Sequence, residues 1–154
     1  KKHQCSRSAP DLMGVCRFLS YHIDFDDYGT LLTAATGIET SGEDILRAAE
    51  RAFNLTRLFN LREGFCRDHD QAPARVFDDP VPDGPNKGIT VSRADFTSLL
   101  EEFYRISGWD TTGTPLEASL IELGLEDLVQ DVRDWRARAS AQVRHSGGGA
   151  CNGR

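Results

Sequence analysis

Methionine is nearly absent: the only one among 154 residues is Met13. The first residue is therefore not an initiator, and the chain is expected to be a piece of something longer. Long apolar runs are also missing. No stretch approaches the ~20 residues a membrane-spanning helix requires, and no basic-then-apolar leader opens the sequence. No membrane partner is expected, and the expected location is the cytoplasm. Cysteine is sparse, with Cys5, Cys16, Cys66 and Cys151 widely spaced and no C-x-x-C pair. That spacing indicates neither a disulfide framework nor a self-contained zinc site. Positive charge is in deficit, 18 Lys and Arg against 24 Asp and Glu, for a net charge of -6. Phosphate neutralisation needs clustered basic residues, so no nucleic-acid partner is expected. Period-two alternation is hard to find, which makes the expected fold class all-α: an irregular multi-helix domain.

What is present fits one globular domain over residues 1–145, since 39% of the residues are hydrophobic and 27% charged. The acids Asp24, Asp26, Asp27, Glu39, Glu43 and Asp44 meet no basic residue and read as solvated helix faces. From Asp24, the spacing of Phe25, Tyr28, Leu31, Leu32 and Ala35 predicts a helix closed by Gly37. Ser41 with Asp44 predicts a capped start to a second helix, which Ile45, Ala49, Ala52, Phe53, Thr56 and Phe59 carry to about Arg62. Ser92 with Asp95 opens another that ends before Gly108, and Thr114-Pro115-Leu116-Glu117 a further one closed by Gly124. A final amphipathic helix is expected from Glu126 to about Val143.

Between these elements, residues 64–91 hold Pro73, Pro80, Pro82 and Pro85, which predicts a long proline-rich loop with at most a short strand pair. Ser146-Gly147-Gly148-Gly149 predicts a disordered tail over 146–154.

Chemistry concentrates in Asp11-Leu12-Met13-Gly14-Val15-Cys16-Arg17-Phe18, read as a turn with a carboxylate, a permissive glycine and one thiol. On its own, a lone cysteine beside apolar residues is more often a small core hydrophobe than a metal ligand. An iron-sulfur cluster needs about four thiolates, so a ligand role for Cys16 puts the other three outside this sequence. Arg57, Asn60 and Gly64 are read as tying a helix end to the proline-rich loop through Asp68 or Asp70, and Trp109 and Trp135 as core or interface anchors.

Asp11 to Phe18 resembles the Asp-x-x-Gly-Leu-Cys loop of the aldehyde ferredoxin oxidoreductases. The resemblance extends through Ala35-Thr36-Gly37, Arg57 to Gly64, Arg67 with Asp70, Pro73 with Arg75, Tyr104 with Gly108-Trp109-Asp110, and Leu120 to Leu125. It implies the C-terminal part of a larger enzyme that carries a tungsten or molybdenum bis-pterin and a 4Fe-4S cluster. By position it makes Asp11 the acceptor for pterin ring nitrogens. Gly14 and Val15 become the backbone and apolar contacts, with Val where the family usually has Leu, and Cys16 becomes a ligand of the 4Fe-4S cluster. The implied reaction is oxidation of aldehydes to carboxylic acids with ferredoxin or a similar electron carrier.

The implied partners are the N-terminal domains of the same enzyme, the carrier and a small-molecule aldehyde. Without the N-terminal half, an exposed apolar face would favour a homo-oligomer. Cys5, Cys66 and Cys151 match no family ligand, and no residue is assigned as catalytic. The competing readings are a family member acting on another substrate such as an aryl-thioester, and an all-α interaction or scaffolding domain without cofactor.

Overall fold

A computed structural model describes residues 1–145, and within them all side chains except those of residues 2, 19, 20 and 138–145. The tail expected over 146–154 lies outside the described residues. Seven α-helices and no strands occur among the described residues, an all-α fold as expected: α1 (Lys2–Met13), α2 (Phe25–Thr36), α3 (Gly42–Arg62), α4 (Arg75–Asp78), α5 (Arg93–Ser107), α6 (Glu117–Glu122) and α7 (Val129–His145).

Where side chains satisfy helix ends, the predicted boundaries hold. Asp24 accepts from the N–H groups of Asp26 and Asp27, and the Asp27 carboxylate accepts from the Asp24 N–H, so two members of the acidic run start α2. Ser41 and Asp44 make the same reciprocal pair at the start of α3. Hydrogen bonds from Ser41 hold the Asp44 carboxyl below its usual range.

Three segments differ from expectation. Helix α1 was not foreseen because its buried positions, Cys5, Ala9 and Pro10, are small or helix-disfavouring and trace no apolar stripe. Helix α6 begins at Glu117, and Pro115 instead pairs in an isolated antiparallel bridge with Trp109. The stretch 64–91 contains a 3-10 turn at Arg67–His69 and the short helix α4. Its chain folds back through Val81 N–H to Ile89 C=O and Gly88 N–H to Val81 C=O, with no strand pair.

The long helix α3 serves two apolar clusters. Near its start, Ile45 packs with Tyr28 of α2 and Ala9 of α1, and both of those helices lie on α3. Near its end, Leu58 joins Leu120, Leu123, Leu125, Val129 and Val132, with Leu61, Leu128 and Trp135 at the margin. Full burial of a side chain such as Leu120 contributes about 1.5–3 kcal/mol. Arginines of α3 also fasten the far end: Arg47 donates to the Glu122 carbonyl at 2.7 Å, and Arg51 donates to the carbonyls of Leu123 and Gly124. These carbonyls belong to the last residue of α6 and the two that follow it, where the helical ladder supplies no i+4 donor.

Candidate functional site

Helix α1 ends in a turn that assembles all four candidate residues. The Gly14 N–H donates to the Asp11 carbonyl at 3.3 Å and the Val15 N–H to the Pro10 carbonyl at 3.0 Å. This is the Schellman pattern, with glycine left-handed at φ 67°. The turn thus starts later than the sequence suggested, because Asp11 to Met13 complete the helix and only Gly14 to Cys16 leave it. An added Cβ at Gly14 would meet nothing within 4 Å, so the left-handed backbone, not crowding, demands glycine there.

Chain direction through the turn separates an anchor from an exposed thiol. Val15 and Met13 pack against the Ala9, Tyr28 and Ile45 cluster, which fixes the turn on α2 and α3. Cys16 then emerges exposed, and Asp11 on the last turn of α1 is exposed as well. The Asp11 carboxylate lies 3.9 Å from the Arg17 guanidinium, a loose pair across the turn. Cys5 provides the contrast: it is buried in the core, and burial pushes its thiol pKa up. Of these two cysteines, Cys16 has the access that a metal ligand needs. No group of three or more His, Cys, Asp or Glu among the described residues could hold a metal ion. A cluster here would take Cys16 as one ligand and the others from elsewhere. The exposed thiol and carboxylate on one backbone turn fit such a shared site.

Exposed apolar residues flank the turn in sequence. Leu12, Phe18 and Tyr21 are exposed, Phe18 by 76%, and the Phe18 and Tyr21 rings stack with centroids 6.3 Å apart. Arg7 lies over the Tyr21 ring at 4.1 Å.

A second polar centre sits beside the proline-rich loop. Arg57, only 7% exposed, donates from Nε to the Gly113 carbonyl at 2.7 Å and from its two terminal nitrogens to Asp70 at 2.9 and 2.6 Å. Asp70, not Asp68, is the partner, which resolves the two readings. Tyr104 also donates to Asp70, at 2.5 Å. Burial, then the hydrogen bond and charge of Asp70, push the phenol pKa up to about 12. The Trp109 indole donates to Asn54 at 2.8 Å, and Arg57 lies 5.0 Å from the Trp109 ring. The sequence supplied Arg57 and the aspartates, and Tyr104 through the family resemblance, but Asn54 carried no signal. No helix is long and apolar enough to cross a membrane among the described residues.

Residues 1–125 match the aldehyde ferredoxin oxidoreductase family in the region described as domains 2 and 3. A tungsten-containing aldehyde ferredoxin oxidoreductase of Pyrococcus abyssi is 39% identical over 120 residues, 77% of this chain and 19% of that protein. Its Pyrococcus furiosus counterpart is 40% identical over the same share of each chain. An aliphatic sulfonate oxidoreductase WOR-like subunit from Pyrococcus furiosus is 35% identical over 72 residues, 47% of this chain and 11% of that one. Among solved structures, the active-site complex BamBC of benzoyl coenzyme A reductase, in complex with 1,5 dienoyl-CoA, superposes with a TM-score of 0.64 at 28% identity. It covers 79% of this chain and 18% of that one. The chain spans about a fifth of the length of the two aldehyde oxidoreductases. With most of its length matched by the family pattern and the Asp11 to Cys16 turn within that match, the chain belongs to the aldehyde ferredoxin oxidoreductase family.

Proposed function

We propose that this chain is the C-terminal part of a tungsten- or molybdenum-bis-pterin, iron-sulfur oxidoreductase of the cytoplasm. The enzyme oxidises aldehydes to carboxylic acids and passes electrons to ferredoxin or a similar carrier. The observation that carries the reading is the exposed Cys16 thiol, held just beyond a Schellman turn that also presents Asp11, in a chain about two-fifths identical to tungsten enzymes.

In this reading the carboxylate of Asp11 accepts from the amide-like ring donors of one pterin, a charge-assisted contact stronger than a neutral one. Gly14 brings the backbone close, and Val15 holds the turn to the core. Cys16 supplies one thiolate of a 4Fe-4S cluster whose remaining ligands come from the N-terminal domains of the same enzyme. When bound, the metal-pterin supplies the oxygen-atom and electron chemistry, while the protein positions it. The apolar patch of Leu12, Phe18 and Tyr21 beside the thiol suits coverage by those domains, and exposure of that patch in the isolated chain favours self-association.

A second reading, reduction of an aryl-thioester, draws on the likeness to the benzoyl coenzyme A reductase complex. Both readings share the Cys16 role. In the full-length enzyme, Cys16→Ala should lower iron content and bleach the cluster absorbance while the protein stays folded. An unaltered iron content and spectrum would reject the ligand role. Asp11→Ala should lower pterin content with iron retained.

A further inference from the structure

The proline-rich stretch closes a loop that the cofactor reading does not use. Its base is clasped by the Val81 N–H on the Ile89 carbonyl at 3.0 Å and the Gly88 N–H on the Val81 carbonyl at 2.8 Å. Its tip carries Pro82-Asp83-Gly84-Pro85, all exposed. Asp83 is the only aspartate in the sequence that precedes glycine. Its carboxylate has no hydrogen bond or ion pair among the described residues, and the Gly84 N–H donates to nothing among them. A Cβ added at Gly84 would meet nothing within 4 Å, so the surroundings of the pair are open.

This freedom matters because a peptide nitrogen that follows aspartate can close a five-membered ring on the side-chain carboxyl carbon. The structure withdraws the other aspartates from that reaction. Most lie inside α-helices or 3-10 turns, whose backbone ladder holds the following amide in its own hydrogen bond. Of those outside, Asp24 caps α2, and Asp70 is held by Arg57 and Tyr104. Asp110 accepts from Thr112, Thr114 and Arg136, and Asp79 precedes a proline, which has no N–H to lose. The prolines beside Asp83 and Gly84 do not block closure. Each fixes its own φ and restrains the residue before it, Val81 or Gly84, whereas the torsions that bring the Gly84 nitrogen to the carboxyl carbon are ψ and χ1 of Asp83.

We propose that Asp83 is a site of spontaneous isomerisation to isoaspartate. The Gly84 nitrogen bonds to the side-chain carboxyl carbon of Asp83, the carboxyl hydroxyl and the amide proton leave as water, and a cyclic imide forms. Water then opens either imide carbonyl. One opening restores aspartate, and the other routes the main chain through the former side-chain carboxyl, with no net change in mass and one added main-chain carbon. The clasp is made by Val81, Gly88 and Ile89, so the exposed tip takes up that carbon without breaking it. No oxidant, reductant or partner is needed, and the site is independent of the Asp11 to Cys16 turn.

The test incubates the full-length enzyme and a free peptide of residues 80–88 in heavy-oxygen water at neutral pH, then reads digests by mass spectrometry with electron-transfer fragmentation, which marks the β-linkage. Each imide cycle leaves one heavy oxygen at the residue. Label and isoaspartate should build up at Asp83 at a similar rate in enzyme and peptide. In the enzyme that rate should exceed the rate at Asp110 or Asp134 by about tenfold or more, since amides held in place do not reach the attack geometry. Asp83→Glu, which requires a larger ring, should remove the label from that position. An unlabelled Asp83 in either sample, labelling no faster than at Asp110, or label that persists in Asp83→Glu would overturn the proposal. None of these results bears on the iron content that tests the Cys16 role.

Discussion

Replacing Asp70 with Asn removes one charge and almost no volume, so its effects isolate the electrostatics of the second polar centre. The Arg57 side chain is 7% exposed and that of Asp70 26%. Removing one member of a fully buried pair costs about 3–5 kcal/mol because the other charge is left uncompensated. The partial exposure of Asp70 lets water screen some of that, which puts the expected loss at about 2–4 kcal/mol. Tyr104 provides an independent reading of the same charge. Its pKa of about 12 has burial as the leading cause and Asp70 as the next, so in Asp70→Asn the phenol should titrate closer to the ordinary value of 10.0.

The sign follows from linkage. The folded pKa lies above the unfolded one, so the stability tied to the protonated phenol is present below pH 10 and is lost as pH rises from about 10 to 12. The variant should show a smaller alkaline loss. Urea denaturation at neutral pH measures the first effect and phenolate absorbance against pH the second. A stability change under about 0.5 kcal/mol together with an unmoved phenol titration would refute the reasoning, since the pair would then be decorative.

Three further outcomes follow from the same physics. Gly113→Ala forces a side chain into φ 76° and places its Cβ 2.2 Å from an Arg57 terminal nitrogen and 2.9 Å from the Tyr104 ring. A loss of about 2–4 kcal/mol is expected in thermal unfolding, of which ~1–2 kcal/mol is the backbone cost alone. Tyr28→Phe should stabilise the chain by about 1 kcal/mol in urea titration, because the Tyr28 hydroxyl is buried with no hydrogen-bond partner among the described residues. Burial opposes ionisation of Asp110, but hydrogen bonds from Thr112 and Thr114 and the nearby Arg136 outweigh it and hold the carboxyl below its ordinary value of 3.8. Stability linked to Asp110 is therefore present above pH 3.8 and lost as pH falls through the lowered value, so Asp110→Asn should flatten the acid limb of urea midpoints measured against pH.

The parts of the fold that were legible are those in which a local hydrogen bond and an apolar period agree. Ser41 with Asp44 and the stripe from Ile45 to Phe59 located α3, because a cap and a periodic face are both written within a few residues. Helix α1 was illegible for the converse reason. Its stability comes from small residues fitting against α3, a tertiary effect that no local count reveals, and Pro10 inside it argues against a helix by every local rule. Pro115 misled in the same way, since it reads as a helix start but is held by a bridge to Trp109. At the candidate site, Asp11, Gly14, Val15 and Cys16 were found through resemblance. The pattern itself has a physical meaning visible only in three dimensions: glycine reverses the chain, the next residue anchors it inside, and the one after that faces outward.

The two apolar clusters share one 21-residue rod, α3, about 30 Å long. A protease cut anywhere in the proline-rich stretch would sever the chain without parting it. The downstream piece would stay clasped to the rod by Leu58 against Leu120, by Arg57 on Gly113, and by Arg47 and Arg51 on the carbonyls of residues 122–124. A nicked molecule should therefore elute from a sizing column as one species and fall into two fragments only in denaturant that also contains a thiol reductant.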